Sequence, residues 1–190
     1  MKTAMKNILD NCLQVLESGG LILYPTDTVW GIGCDATNPE AVARVYTLKQ
    51  RPDSKALICL VGSGRQLEQL IPEVPDVAWD IMDLSEKPVT IVYDNPQGVA
   101  PNLVAADNSL AVRIASDNFC RELLRRFRKP LVSTSANLAG QPTPDSFSGI
   151  APDILNGVDY VVPLQQETEL RTPSSIIRLK ADGQVQVIRK

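Results

Sequence analysis

The chain contains 190 residues, of which 44% are hydrophobic and 22% are charged, a composition typical of folded globular proteins. A chain of this length predicts a single domain, which we place over residues 1–190. The 19 basic and 22 acidic side chains give a net charge of −3, which argues against a protein whose whole surface binds nucleic acid. The absence of histidine excludes a Ser-His-Asp triad, a Cys-His pair and zinc sites with histidine ligands.

The N-terminal part of the chain predicts one helix followed by two short strands. Apolar residues recur at helical spacing over residues 5–16, and Gly19-Gly20 then provides a helix stop. A strand is predicted over residues 21–24 and a second extended segment over residues 29–34. The polar residues 25–28 predict a turn between them.

The rest of the chain predicts a loose alternation of helices and strands. Asn38 is a good N-cap for a helix that begins at Pro39 and brings Lys49 near its C-terminal end, and Asp117 caps a later helix. The other predicted helices are residues 66–70 and 77–84, and the other predicted strands are residues 56–61, 89–93, 110–114, 131–134, 158–162, 175–179 and 185–188. This order predicts an α/β domain with a mixed sheet, and the last strands resemble hairpins.

The cysteines and the N-terminus indicate where the protein resides. The four cysteines are far apart, have apolar neighbours and form no C-x-x-C pair, so we interpret them as reduced thiols of the core. No metal site is predicted. Residues 1–11 lack the apolar core of a signal peptide, and the longest apolar run, residues 56–61, is too short to span a bilayer. We therefore predict a cytoplasmic protein without a membrane partner.

The segment Gly31 to Ala36 matches the pattern G-x-G-x-x-A. A dinucleotide site of this kind requires a helix that opens directly at the glycines, whereas the next helix is predicted to begin only at Pro39. We therefore interpret the glycines as residues that permit a tight turn or a close backbone approach.

Two cations flank a predicted helix end at Lys49-Gln50-Arg51-Pro52. Because Arg51 precedes a proline, it favours an extended conformation and the helix is expected to end there. One interpretation is that both cations complement the C-terminal end of the helix dipole. The other is that they bind a phosphate or carboxylate, Arg51 as a fork and Lys49 as a point charge.

Polar side chains follow or interrupt several predicted strands. Hydroxyl groups and an amide come directly after a strand in residues 133–137, and Thr26 and Thr28 surround the turn after another strand. Turns and caps explain such clusters locally, but ligands in α/β sheets also bind at strand ends. Arg113 lies between apolar neighbours in a strand, so it faces either solvent or a polar cavity.

A basic cluster extends from Arg121 to Lys129 near the end of a predicted helix. Such a cluster is commonly a solvated helix end. The alternative is a surface that contacts the backbone of a nucleic acid.

Taken together, the order of these motifs resembles that of the YrdC family. The segments that carry the resemblance span roughly residues 5 to 189 and are Tyr24-Pro25-Thr26-Asp27-Thr28-Val29-Trp30-Gly31, Lys49-Gln50-Arg51-Pro52, Pro88-Val89-Thr90, Ala111-Val112-Arg113, Ser133-Thr134-Ser135-Ala136-Asn137 and Pro173-Ser174-Ser175-Ile176. The resemblance implies a single-domain α/β fold with a twisted, open mixed sheet, flanking helices and a large concave groove. The chain is similar to the short members of the family, which lack a C-terminal domain.

The characterised members of this family are L-threonylcarbamoyladenylate synthases. The resemblance therefore implies a nucleotidyltransferase that forms threonylcarbamoyl-AMP and pyrophosphate from L-threonine, bicarbonate and ATP, with Mg²⁺ accompanying the ATP. The product would serve the N6-threonylcarbamoyl modification of tRNA adenosine 37, through a threonylcarbamoyl-transferase machinery.

The resemblance also implies roles for individual residues. Lys49 and Arg51 would be catalytic. The residues that would bind L-threonine are Thr26, Arg113, Ser133 and Ser174, and those that would bind ATP are Lys49, Arg51, Ser109, Ser135, Asn137 and Arg189.

Two alternatives to a synthase remain open from the sequence. Relatives often have Trp-Pro-Gly where this chain has Ser85-Glu86-Lys87, and this departure resembles YciO-like proteins. Such a protein would bind double-stranded RNA or tRNA and have weak or no synthase activity. The second alternative is a purely structural role, although the polar residues at several strand ends argue against it.

Overall fold

The computed structural model describes residues 2–51, 57–167, 173–179 and 184–189. The helices are α1 (Lys2–Glu17), α2 (Pro39–Leu48), α3 (Gly64–Leu70), α4 (Asp76–Leu84), α5 (Asn118–Phe127) and α6 (Pro152–Gly157). The strands are β1 (Ile22–Tyr24), β2 (Gly31–Gly33), β3 (Ile58–Val61), β4 (Val89–Asp94), β5 (Ser109–Ile114), β6 (Leu131–Ser135), β7 (Tyr160–Val161), β8 (Ser175–Leu179) and β9 (Val185–Arg189).

These strands form a mixed sheet in the order β7-β1-β2-β6-β3-β5-β4-β8-β9. Strands β3 and β5 are parallel, as are β4 and β8, whereas β6 is antiparallel to both β2 and β3. The prediction of an α/β fold with an open mixed sheet is therefore confirmed. Gly31 and Gly33 belong to β2 and no helix opens until Pro39, which agrees with the rejection of a dinucleotide fingerprint.

The local signals at the helix ends have the expected effects. Asn38 Oδ1 accepts hydrogen bonds from the backbone amides of Glu40 and Ala41, and Asp117 Oδ1 accepts one from the amide of Cys120. Both caps satisfy amides that the first helical turn leaves unpaired.

Each face of the sheet packs against a different set of helices. The first core lies between one face and helices α2, α3, α4 and α6, and it contains Cys34 and Cys59. The second core lies between the other face and helices α1 and α5, and it contains Cys12 and Cys120. All four cysteines are buried free thiols, so their interpretation as core residues is confirmed.

Helices α1 and α5 leave part of the second face uncovered. The second core includes residues of β1, β3 and β6, but no described residue of β4, β8 or β9 belongs to it. Side chains alternate between the two faces of a strand, so Arg113, Ala111 and Ser109 of β5 share this second face. The polar side chains at the ends of several strands lie together on this uncovered part of the second face.

Two differences from the sequence-based expectations concern the C-terminal third of the chain. Helix α6 is not among the helices that the sequence predicts. Of the last three strands, β8 and β9 pair antiparallel as expected for a hairpin-like stretch, whereas β7 pairs parallel with β1 at the opposite edge of the sheet. Ala56, predicted to begin β3, lies outside the described residues.

None of the helices in the described part of the chain is long and apolar enough to cross a membrane.

Candidate functional site

A pocket of about 140 Å³ opens on the uncovered part of the second face. Its described lining contains the guanidinium groups of Arg51, Arg113 and Arg189 and no carboxylate. Hydroxyl groups supply most of the other polar surface, and they belong to Thr26, Thr28, Ser133, Thr134, Ser135, Thr143 and Ser174. A small cationic pocket lined by hydroxyls is suited to an anion that carries further hydrogen-bonding groups.

Arg113 is the central cation of this pocket, and only 4% of it is exposed. Its Nη1 donates a hydrogen bond of 2.8 Å to Thr28 Oγ1, and its Nη2 lies 3.2 Å from Asp27 Oδ1. The other oxygen of Asp27 accepts hydrogen bonds from the amide and hydroxyl of Ser116, at 3.1 and 2.6 Å. Of the two interpretations of Arg113, the one in which it faces a polar cavity is confirmed.

The turn between β1 and β2 is held by its own hydroxyl groups. Thr26 Oγ1 donates to the carbonyl of Val29 and accepts from the amides of Thr28 and Val29. It also lies 2.9 Å from Thr28 Oγ1. Because Thr28 in turn accepts from Arg113, this network fixes the guanidinium relative to the turn.

Arg189 approaches the pocket from the edge of the sheet. Its Nε and Nη2 donate to the carbonyl of Ser174 at 3.0 and 2.7 Å. The hydroxyl of Ser174 lies 2.7 Å from that of Thr90 on the neighbouring strand. Burial, followed by the charge of Arg113, lowers the pKa of Arg189, as expected for two cations that face one space.

A left-handed residue separates the two cations that follow α2. Gln50 has a φ of 49°, and its amide donates to the carbonyl of Thr47 while the amide of Arg51 donates to that of Tyr46. This pair of hydrogen bonds is a Schellman motif, which reverses the chain at the helix end. Arg51 consequently lines the pocket, whereas Lys49 turns into the protein.

Lys49 is 1% exposed and does not belong to the described lining of the pocket. Its Nζ donates to the carbonyls of Ser135 and Asn137, the latter at 2.6 Å. Its own carbonyl accepts from the amide of Ala139 at 2.8 Å. Burial and the charge of Arg51 lower the pKa of Lys49 to about 7. The structure thus directs Lys49 to the loop behind the pocket, not to the pocket itself.

Two other predicted ATP-binding residues lie outside the described lining of the pocket. The amide nitrogen of Asn137 donates to the carbonyls of Leu138 and Gln141, which closes the loop, while Asn137 Oδ1 is buried without a hydrogen-bond partner. Ser109 faces the same side of the sheet as Arg113, but it lies roughly 13 Å further along β5. Its hydroxyl donates to Asp107 Oδ1 at 2.6 Å.

The structure brings together most of the residues that the sequence singled out. Arg51, Arg113 and Arg189 line the pocket, together with four of the predicted hydroxyl residues: Thr26, Ser133, Ser135 and Ser174. Thr28 and Thr143 also line it, although the sequence analysis gave neither of them a role. Thr28 belongs to a polar cluster that was noted. Thr143 lies in a loop with no local signal for a site.

A mixed α/β sheet with a cationic, hydroxyl-lined pocket at its strand ends is typical of a domain that binds anionic ligands. The family model for the Sua5/YciO/YrdC domain, described as "Telomere recombination", matches residues 14–190. The chain belongs to this family.

Two curated relatives match most of the chain. A threonylcarbamoyl-AMP synthase from Hahella chejuensis is 35% identical over 156 residues, which cover 82% of this chain and 85% of the relative. A threonylcarbamoyl-AMP synthase from Vibrio campbellii is 34% identical over 187 residues, covering 95% and 98%.

Solved structures of the family share the fold. A variant of Sua5 from P. abyssi superposes with a TM-score of 0.86 at 27% identity, and the Sua5 complex with L-threonine superposes with a TM-score of 0.80, also at 27%. These matches cover 95% and 90% of this chain but only 55% and 50% of the Sua5 chains, so this chain spans about half the length of Sua5. E. coli YciO, at 22% identity and a TM-score of 0.83, shows the same fold and covers 98% of this chain and 89% of YciO.

Proposed function

We propose that this chain is a threonylcarbamoyl-AMP synthase, which converts L-threonine, bicarbonate and ATP into threonylcarbamoyl-AMP and pyrophosphate. Relatives with this name match 82% and 95% of the chain, each at more than 30% identity. The observation that carries the proposal is the convergence of Arg51, Arg113 and Arg189 on one pocket lined with hydroxyl groups.

L-Threonine would occupy the pocket with its carboxylate against Arg113. The turn at Thr26 and Thr28 holds this guanidinium in place, and a bidentate or charge-assisted contact to a carboxylate is the interaction that arginine makes best. Ser133 and Ser174 would supply hydrogen bonds to the polar groups of the amino acid. The Sua5 structure with L-threonine supports this choice of ligand.

ATP would enter from the rim of the pocket. A volume of about 140 Å³ suits an amino acid but is smaller than the roughly 300–1,000 Å³ of sites for larger ligands. Arg51, Arg189 and Ser135 would therefore contact the triphosphate where it leaves the pocket. Ser109 lies beyond the described lining, so a contact from it would require the nucleotide to extend along β5.

The reaction needs no nucleophile from the protein, which agrees with the absence of histidine. The amine of threonine combines with bicarbonate to give a carbamate and water. An oxygen of that carbamate attacks the α-phosphorus of ATP, and the bond to the departing pyrophosphate breaks. The protein holds the two anions together. The positive charges of the arginines stabilise the negative charge that develops on the leaving pyrophosphate.

Mg²⁺ would arrive as part of the MgATP substrate. The described lining of the pocket contains no carboxylate, and no cluster of three acidic or cysteine side chains occurs among the described residues. Hard cations prefer carboxylate, phosphate and water oxygens, so the phosphates themselves would hold the ion. A resident metal site does not fit these residues.

The product would pass to a threonylcarbamoyl-transferase machinery that modifies adenosine 37 of tRNA. We expect it to act in the cytoplasm, where ATP, the amino acid and tRNA would be available.

The test measures the release of pyrophosphate by purified protein supplied with MgATP, bicarbonate and threonine. We expect release that depends on threonine, and we expect Arg113→Gln to slow it about 100-fold, since it removes the partner of the carboxylate. Arg44→Gln is the matched control, because Arg44 forms an exposed ion pair with Asp159 away from the pocket. Release without threonine dependence, or equal rates for both variants, would contradict the proposal.

The basic cluster supports RNA contact as a second candidate function, in addition to the synthase. Arg65, Arg121 and Arg128 line a crevice of about 920 Å³ between α3 and α5, and they have no ion pair among the described residues. Arg125, in contrast, is paired with Glu122. We expect the affinity for double-stranded RNA to fall steeply as the salt concentration rises. In Arg121→Gln, the slope of log affinity against log salt concentration should decrease in magnitude by about one. Absence of binding at low salt would exclude this function.

A further inference from the structure

The side-chain nitrogen of Lys49 has a more restricted environment than a lysine normally tolerates. It is 1% exposed and contacts the carbonyl oxygens of Ser135 and Asn137. A charged ammonium has three hydrogens to donate, whereas the neutral amine has two. The described residues supply two acceptors, one fewer than the ammonium can use, so its burial is only partly compensated by them.

The charged and titratable groups around Lys49 are also unusual. Tyr46 and Arg51 come from the same end of α2, and the 135–139 loop, which packs against Lys49 from β6, presents no ionisable side chain. Among the described residues, no carboxylate forms an ion pair with Lys49. Burial and the neighbouring Arg51 therefore both favour the neutral amine.

The loop that Lys49 holds forms one wall of the pocket. Ser135 lines the pocket and pairs with Gly31 of β2. Ala139 is bound to the backbone of Lys49, so the lysine contacts the loop at both ends. Because Lys49 binds both ends of this loop, its contacts help to set where Ser135 lies relative to Arg51.

We propose that Lys49 is a positioning residue that holds the 135–139 loop against the pocket and takes up a proton when a phosphate group binds beside Arg51. The phosphate offsets the charge of Arg51 and adds a negative potential close to Lys49, and both effects favour the ammonium. The identification of the phosphate as part of ATP or pyrophosphate rests on the proposed function. The role of Lys49 itself does not require turnover.

The sign of the pH dependence follows from the pKa of about 7 for Lys49 in the empty protein. At pH values above 7 the amine is mostly neutral, so binding of the anion must be accompanied by proton uptake. Below pH 7 the amine is already charged, and the uptake disappears.

The first test is calorimetric titration with inorganic pyrophosphate at about pH 8, in buffers with different ionisation enthalpies. We expect the native protein to take up close to one proton more per pyrophosphate than Lys49→Met, and we expect the excess to vanish near pH 6. Any proton that pyrophosphate itself gains or loses on binding is the same for the native protein and Lys49→Met, so it cancels in the comparison. Lys6→Met, an exposed lysine on α1, is the matched control and should keep the native uptake.

The second test needs no variant and remains valid if Lys49→Met does not fold. Nitrogen-15 NMR of the lysine side chains should show one amine that titrates near pH 7, well below the ordinary lysine value of about 10.4. Pyrophosphate should raise its midpoint by at least two pH units, which the uptake of nearly one proton at pH 8 requires. Equal proton uptake in the native protein and Lys49→Met, a midpoint that pyrophosphate does not move, or absence of pyrophosphate binding would each overturn the proposal. None of these outcomes depends on the synthase assay, so the two proposals can fail separately.

Discussion

At the scale of single residues, a left-handed glutamine determines which cation reaches the pocket. Lys49 and Arg51 stand two positions apart, and the Schellman turn at Gln50 sends the first into the interior and the second to the pocket. Glycine is the residue usually found at this position, because it adopts a positive φ without steric cost. Gln50 therefore carries backbone strain in a turn that the site requires.

We expect Gln50→Gly to stabilise the protein by about 1 kcal/mol, the approximate cost of a left-handed conformation for a residue with a side chain. Chemical denaturation of the variant and the native protein measures this difference. Arg128, with a φ of 60° after α5, offers a matched control away from the pocket, and Arg128→Gly should give a similar gain. A loss of stability in Gln50→Gly alone would mean that the Gln50 side chain makes stabilising contacts that outweigh the strain.

The sequence predicted some of these residues correctly and left others undecided for a physical reason. The apolar neighbours of Arg113 placed it in a strand but left open whether it faces solvent or a polar cavity, and the structure shows the cavity. The K-x-R spacing likewise cannot distinguish two cations that share a ligand from two that point apart. That outcome depends on the φ of Gln50, and a glutamine gives no local signal for the left-handed region.

At the scale of elements, the site is assembled where turns between different strands contact each other. Asp27, in the turn after β1, binds Ser116 in the turn after β5 and lies beside Arg113. Asp27 is the carboxylate nearest to Arg113 in the described structure, and its side chain is only 7% exposed. It therefore provides the main local compensation for a buried positive charge.

We expect Asp27→Asn to destabilise the empty protein by about 3 kcal/mol, because it leaves Arg113 buried without its counter-charge. Pyrophosphate should then raise the melting temperature of the variant more than that of the native protein, since an anion replaces the missing charge. Asp107→Asn is the control, because it breaks a largely exposed ion pair with Arg178 and should cost less than about 1 kcal/mol. Equal effects of the two substitutions in a thermal-shift series would contradict the assigned role of Asp27.

Local signals predicted the elements better than they predicted how the elements pair. The caps Asn38 and Asp117 gave correct helix starts, because a cap depends on neighbouring residues alone. Helix α6 is short, has no side-chain cap, and has only Pro152 and Asp153 to mark its start, so the sequence did not predict it. Strand β7 pairs with β1, at the opposite edge from β8 and β9, and such a non-local pairing has no signature in the strand itself.

At the scale of the whole molecule, function follows from a sheet that its helices cover unequally. Helices α2, α3, α4 and α6 pack on one face, whereas α1 and α5 cover only part of the other. The pocket lies in the remaining space, where the ends of β5 and β6 meet the start of β8. The protein can therefore have a net charge of −3 and still present to an anionic substrate a pocket whose described charged residues are all arginines.

The most direct test of this account is a crystal structure of the protein grown with L-threonine. The account predicts the amino acid in the pocket, with its carboxylate within hydrogen-bond distance of the Arg113 guanidinium and its polar groups near Ser133 and Ser174. An empty pocket at saturating threonine, or threonine bound at another surface with Arg113 still paired only to Asp27 and Thr28, would contradict it.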